Sequence, residues 1–240
     1  LKGVQQYTMK LKAIAYGIIG AFAISVANAG DYGKEVTEEI VVDDSIGATI
    51  SAGYMSDYVF YGLDLGDHGT WVGVDYSLGD FGVPLDVGVW YISLGDGSGY
   101  DELDVYASYA LPSFAGFDAS LNFLAYFFPG TGFDPTYELN LGLGYDLGFV
   151  DWVGSVHYDF EIEGWYFQTG VSKTFALVDK IDMVLSAKIG GQNDYYNPTG
   201  FWNDVEVRAA FPIALTSNAT LEPYVAGLFA LEATDDLQDD

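Results

Sequence analysis

Tyr137-Glu-Leu-Asn-Leu-Gly-Leu-Gly-Tyr-Asp-Leu147 decides the fold class of this chain. A β-strand points successive side chains to opposite faces. Tyr137, Leu139, Leu141, Leu143, Tyr145 and Leu147 therefore share one apolar face, and Glu138, Asn140, Gly142, Gly144 and Asp146 share a wet one. The same two-residue alternation recurs from about Gly47 to Ala230, with Tyr, Trp and Phe near the strand ends. Repetition on this scale, with aromatics where strands would meet a lipid–water boundary, predicts an antiparallel transmembrane β-barrel of all-β class. A soluble sandwich is the competing architecture, but it has no need of aromatics gathered at strand termini.

Strands are expected near 47–60, 69–78, 84–93, 101–110, 117–127, 136–147, 151–160, 164–175, 181–190, 202–211 and 219–230. Short connections (79–83, 111–116, 148–150, 176–180, 212–218) alternate with longer or more polar ones (62–68, 94–100, 128–135, 191–201), the brief 161–163 turn being the exception. Bacterial barrels have short periplasmic turns and longer outer loops, which orients the chain. Such barrels also have even strand numbers. The eleven strands read here, ending in acidic Leu231–Asp240, point to a twelve-stranded protein whose last strand is missing from a truncated chain; a miscount by one is the alternative.

The preceding residues read as targeting sequence. Met9-Lys-Leu-Lys12 is a short basic start, Ala13–Val26 is apolar, and Ala27-Asn-Ala29 is an A-x-A site, which together match a secretory signal peptide over 9–29. Residues 1–8 lie upstream of that start. A helix is the expected conformation over 9–29. Residues 30–46 are an acidic periplasmic lead-in, and 231–240 an acidic outer loop. Export without a later long apolar helix predicts the bacterial outer membrane, with its lipid as one partner.

The charge balance narrows the function classes. The 240 residues carry 8 Lys+Arg against 35 Asp+Glu, a formal net charge of −27. All the acids and only five of those cations lie from Gly30 onward. No basic face is available for phosphate, so nucleic acid is not a partner. Cation attraction is permitted. Cysteine is absent, which removes disulfides and thiolate metal sites.

The apolar register includes Val72, Val74, Val87, Val89, Val105, Leu121, Phe123, Leu185 and Val207, with no charge among them. The opposite register defines the expected lumen lining: Asp75, Asp86, Asp104, Glu138, Asp146, His157, Asp159, Asp182, Lys188, Asp204, Glu206, Arg208 and Glu222. Glu206, Arg208 and Lys188 fall on neighbouring strands. They read either as a charged constriction that selects ions or small solutes or as a salt-bridge network that fills the lumen.

Other chemistry is thin. Ser155, His157 and Asp159 share the inner face of one strand and supply the residue types of a nucleophilic triad. Positions two apart are ~6.5–7 Å from each other, a spacing that argues against direct Ser–His–Asp hydrogen bonds. No catalytic residues are assigned and the chain is not expected to be an enzyme. Asp96-Gly-Ser-Gly-Tyr-Asp-Glu102 offers hard oxygen ligands on a flexible turn, a composition that suits calcium. It lacks the full twelve-residue pattern and reads more simply as a solvated hairpin loop. With no phosphate-cradling loop and no H-E-x-x-H, neither metal nor cofactor is expected.

Ser51-Ala-Gly-Tyr-Met-Ser-Asp-Tyr-Val-Phe-Tyr-Gly-Leu-Asp-Leu-Gly66 resembles the opening of the Gcw_chp family of bacterial proteins. Members typically run from a strand into Ser-Asp-Tyr, an aromatic, an Arg and a Gly. Ser56-Asp57-Tyr58-Val59-Phe60-Tyr61-Gly62 keeps that frame, with Tyr61 where Arg is usual. The resemblance implies an outer-membrane barrel and no particular activity; any role of that Arg does not transfer. The leading expectation is a porin-like narrow channel for small solutes or cations. The alternative is a structural or surface-interaction barrel with a plugged lumen. Oligomeric state is not legible.

Overall fold

The computed structural model describes residues 18–19, 48–196, 198, 200–216 and 219–235. Its strands are β1 (Ala48–Phe60), β2 (Leu63–Ser77), β3 (Leu85–Leu94), β4 (Asp101–Phe114), β5 (Phe117–Phe127), β6 (Thr136–Asp146), β7 (Asp151–Asp159), β8 (Gly164–Val178), β9 (Ile181–Asn193), β10 (Trp202–Ala210), β11 (Ile213–Thr216), β12 (Ala219–Leu221) and β13 (Pro223–Ala230). From β1 to β10 each strand pairs antiparallel with the next, and β10 continues to β13. β11 and β12 make a small side hairpin that touches β9 at Ile181. The sheet curls on itself: Tyr224 of β13 packs against the Met55, Tyr58 and Trp71 cluster of β1 and β2.

Burial alternates as the pleat requires. Trp71 and Gly73 are buried while Val72 and Val74, alternating with them, are exposed. The register lines up Ile50, Val74, Val89 and Val105 across β1 to β4, and Leu121, Leu141 and Val156 across β5 to β7. The outward face is thus a continuous apolar belt. Aromatics band both its ends, with Phe114, Phe117, Tyr145 and Trp152 in contact at the short-turn end and Tyr158, Trp165, Phe167 and Phe201 at the other. Lys173, outward on β8, reaches the rim, where its Nζ donates to the Phe149 carbonyl at 2.6 Å. The long stem lets the charge leave the apolar face.

Several expectations need correction. Residues 62–68 are not a loop: the chain turns on Tyr61-Gly62 and continues directly into β2. β4 likewise runs on to Phe114 and turns on Ala115-Gly116, both at positive φ (51° and 85°), the backbone a two-residue hairpin demands. Residues 219–230 divide into β12 and β13 around Glu222. The described part of 231–240 includes one helical turn, α1 (Glu232–Asp235), with Ala233 fully buried, its backbone close to Gly200. The helix expected over 9–29 fails at the two residues described there: Ile18–Ile19 is extended and pairs with Tyr224 and Pro223. The free edge of β13 has unpaired backbone groups, and an apolar extended segment satisfies them. The rest of 1–46, with the signal segment and lead-in, and 236–240 lie outside the described residues.

The inner face is not uniformly wet. Met55, Tyr58, Trp71, Ile92 and Leu94 form a buried apolar cluster inside the wall of β1 to β3. Its rings lie across glycines. A Cβ on Gly53 would stand 2.6 Å from the Trp71 ring, and one on Gly69 2.6 Å from Ile92, so any larger residue would collide with the cluster.

Candidate functional site

The chemistry gathers at the end of the barrel opposite the short turns, which we call the mouth. β1 and β2 project there as a hairpin with a bulge between Tyr58 and Val59. Beyond a bulge a strand bends, and the tip folds inward across the lumen. Asn203 of β10 donates to the Tyr61 carbonyl, and the Tyr196 hydroxyl donates to the Phe60 carbonyl at 3.2 Å. The Tyr61 ring stacks on Tyr166 of β8 with centroids 3.8 Å apart. Its backbone sits at φ 45°, a left-handed conformation that costs a non-glycine residue ~1–2 kcal/mol and is held by these contacts. At Gly62 (φ 82°) a Cβ would lie 2.8 Å from that of Asp204, so the tip is seated against the far wall.

Below the tip lies Glu138 of β6, fully buried. It accepts from the hydroxyls of Tyr61 (3.0 and 3.2 Å), Tyr195 (3.1 Å) and Tyr126 (3.5 Å), and pairs with His157 Nδ1 at 2.8 Å. Tyrosine hydroxyls serve other inward acids in the same way. Tyr58 and Tyr100 both donate to Glu102 at 2.5 Å, Tyr166 donates to Asp204 at 3.0 Å, and Tyr106 donates to Asp75. A buried carboxylate needs such donors, because desolvation without hydrogen bonds is costly. At the mouth, burial pushes the Tyr195 hydroxyl up from its ordinary range, and the neighbouring Glu138 charge adds to the effect.

Two ion pairs lie deeper on one wall. Lys188 Nζ is 3.3 Å from Glu206 Oε1, directly across the β9–β10 ladder, and Arg208 Nη2 is 2.9 Å from Glu222 Oε1. Arg208 also lies over the Tyr224 ring, 3.9 Å from its centroid. Glu206 thus pairs with Lys188 rather than with Arg208. The remaining residues of the expected lining are dispersed. Asp86 and Asp182 are half-buried towards the short-turn end, and Asp104 sits beside Glu102 with Oδ1 buried. Asp146 departs from the expectation: it is exposed at the rim, its Oδ1 accepting the Gly148 N–H at 2.6 Å.

Ser155 and His157 overturn the spacing argument. His157 Nε2 is 2.7 Å from Ser155 Oγ. The Cα positions are far apart, but strand side chains lean along the strand, and an imidazole spans the difference. Asp159 does not join them; its Oδ1 accepts the N–H groups of Glu161 and Ile162 and shapes the turn. The acid beside His157 comes from the neighbouring strand as Glu138. The calcium-like loop does not converge either. Asp96 turns to Ser98 N–H and Asp67 N–H, Asp101 accepts from Tyr91, and Glu102 from Tyr58 and Tyr100. Ser98, by side chain and N–H, holds the Asp96 carboxyl below its usual range, helped by Asp67 N–H. This contribution to loop order is complete above pH about 3.9 and is lost as pH falls through the depressed value. Among the described residues, the three carboxylates that come close enough together to share an ion are Asp57, Asp64 and Asp67, at the bulged part of the first hairpin.

No protein-family model and no curated protein matches the chain. Solved structures do. The KdgM porin aligns over 69% of this chain and 93% of its own length, at 8% identity and a TM-score of 0.46. A BenF-like porin from Pseudomonas fluorescens Pf-5 aligns over 78% of this chain and 65% of its own, at 13% identity and 0.36. Pseudomonas aeruginosa OccK5 (OpdH) aligns over 78% and 67%, at 14% and 0.37.

Proposed function

We propose that this chain, whose residues 51–66 resemble the Gcw_chp family, is an outer-membrane β-barrel that acts as a narrow, porin-like channel for small solutes or cations. The observation that carries the reading is the division of faces: an apolar belt with aromatic ends outside, and Asp, Glu, Asn and Ser inside. Strands that alternate in this way suit a sheet with lipid on one side and water on the other. The export-like pattern of Met9–Ala29 supports the location. Reconstitution of the full-length protein in planar bilayers should give discrete conductance steps. Complete silence would remove the channel reading and leave the plugged structural barrel, which the Tyr61 contacts across the mouth favour.

Selectivity follows from the inward charges. A low-dielectric wall concentrates the field of Asp75, Asp86 and Asp182 in the water path, while Lys188 offsets Glu206. Reversal potentials under a KCl gradient should show cation preference at low salt. That preference should weaken near 1 M, where screening shortens to about 3 Å. Lys188→Ala frees the Glu206 charge and should strengthen the preference; Glu206→Gln should weaken it. An anion-selective pore at low salt would contradict the assignment.

A further inference from the structure

Glu138, His157 and Ser155 make a connected chain of hydrogen bonds whose polarity is that of an acyl-transfer site. The buried Glu138 carboxylate lies 2.8 Å from His157 Nδ1. A carboxylate only accepts, and the Tyr61 hydroxyl, 2.7 Å from the same nitrogen, gives its own proton to Glu138, so a proton on Nδ1 serves both neighbours and turns the Nε2 lone pair to Ser155. That lone pair faces Ser155 Oγ at 2.7 Å, within the reach a general base needs. The Tyr61 and Tyr166 rings meet the imidazole edge-on, at 5.2 and 5.7 Å, and fix its plane. Nucleophile, base and orienting acid are recognised by such geometry rather than by chain order.

The surroundings of Ser155 suit a substrate. It is half-buried, and its ladder neighbours are Gly142 on β6 and Gln168 on β8. Gly142 has no side chain of its own, and Ser120 Oγ lies 2.9 Å from where its Cβ would stand, so the surface beside Ser155 is polar. Gln168 supplies an amide N–H whose present bond, to the Tyr166 hydroxyl, is long at 3.3 Å, and in the proposed site it would be the polar donor nearest along the ladder to a developing oxyanion. On β7 Ser155 lies further from the mouth than His157, so the hairpin tip covers the far side of the site. A substrate would therefore enter from the short-turn end, and the inward orientation separates the serine from bilayer lipid.

We propose that Ser155, His157 and Glu138 form a hydrolytic site inside the barrel for small, water-soluble carboxylic esters, an activity separate from conduction. Ser155 Oγ bonds to the ester carbonyl carbon as its proton passes to His157 Nε2, and the carbonyl π pair moves onto oxygen. Collapse breaks the carbon–alkoxy bond, and the alkoxide leaves with the proton from Nε2. Water then attacks the acyl-serine with the same base, releasing the carboxylic acid and restoring Ser155. Glu138 orients the imidazole and stabilises its cationic form.

The test uses the folded full-length protein in detergent micelles, a fluorophosphonate probe and p-nitrophenyl acetate. Peptide mapping should place the phosphonyl adduct on Ser155, and Ser155→Ala should abolish it while keeping the heat-modifiable migration of a folded barrel. Ester turnover should fall about 10²–10⁴-fold in His157→Gln, and Glu138→Gln should slow labelling and turnover together. If those two variants do not fold, Ser155→Cys provides a second measurement. It is the sole thiol in a cysteine-free chain, and activation by His157 should make it alkylate with iodoacetamide at least tenfold faster folded than urea-unfolded. Absence of the adduct, an adduct that persists in Ser155→Ala, or a Ser155→Cys thiol no more reactive folded than unfolded would overturn the proposal, whatever the bilayer recordings show.

Discussion

Leu141→Arg should sharply reduce the folded fraction in liposomes, whereas Asn140→Arg should leave most of the protein folded. Leu141 is outward at mid-strand, between Leu121 and Val156. An arginine there meets hydrocarbon at a cost of ~2–4 kcal/mol, and near the interface only ~0–1. Val89→Arg, also mid-strand, should therefore cost more than Val87→Arg, which is closer to the start of β3. Asn140 faces inward, where its side chain accepts from Asn122 at 2.5 Å. Replacing it forfeits a hydrogen bond worth ~1 kcal/mol but keeps the charge in water. Asp86→Arg, on the inner face beside Val87, should be milder still. Heat-modifiable migration after refolding gives the folded fraction. Equal yields for Leu141→Arg and Asn140→Arg would mean that the faces are assigned the wrong way round.

Glu138→Ala should be the most damaging change inside the barrel. It strands the hydroxyls of Tyr61, Tyr126 and Tyr195 and the ring of His157 without their common acceptor. Removing one partner from a buried charged network costs about 3–5 kcal/mol. Glu138→Gln retains a carbonyl oxygen for two of the donors and should cost about 1–2 kcal/mol. Urea unfolding followed by tryptophan fluorescence separates the two. A Glu138→Ala loss below 1 kcal/mol would show that the donors are satisfied by water and that the mouth is wetter than its geometry implies.

The outward face was legible because a two-residue period needs no tertiary information. Val72, Val74, Val89 and Leu141 declare their side by parity alone. The same parity places Tyr106 with Asp104 and Ser108, and Tyr166 with Gln168, on the polar register. An aromatic in polar phase was the available signal for the tyrosine–carboxylate bonds. The inward tip at Tyr61 was not legible, since nothing local shows that a hairpin bends at its bulge to meet β6, β8 and β10. The Ser155–His157 contact was lost to a different approximation: backbone spacing stood in for side-chain reach, and an imidazole leaning along its strand covers the difference. The acid for that histidine lies 19 residues upstream and is brought alongside only by the β6–β7 register. The apolar cluster of Met55, Trp71 and Ile92 was hidden by the glycines between those side chains, which resemble spacers until the rings are seen lying across them.

The seating of the first hairpin also imposes an order on assembly. Neighbouring strands pair through short turns, so most of the wall can grow by local zippering, each hairpin closing a short loop. The mouth cannot. Tyr61 reaches Glu138 across 77 residues, Tyr196 reaches Phe60 across 136, and Asn203 reaches Tyr61 across 142. Closure entropy grows only slowly with loop length, so distance along the chain is a modest penalty once the partners exist; the constraint is that they must exist first. The first hairpin in the chain is thus not fully secured, and its left-handed Tyr61 lacks its Asn203 contact, until Trp202–Ala210 has joined the sheet.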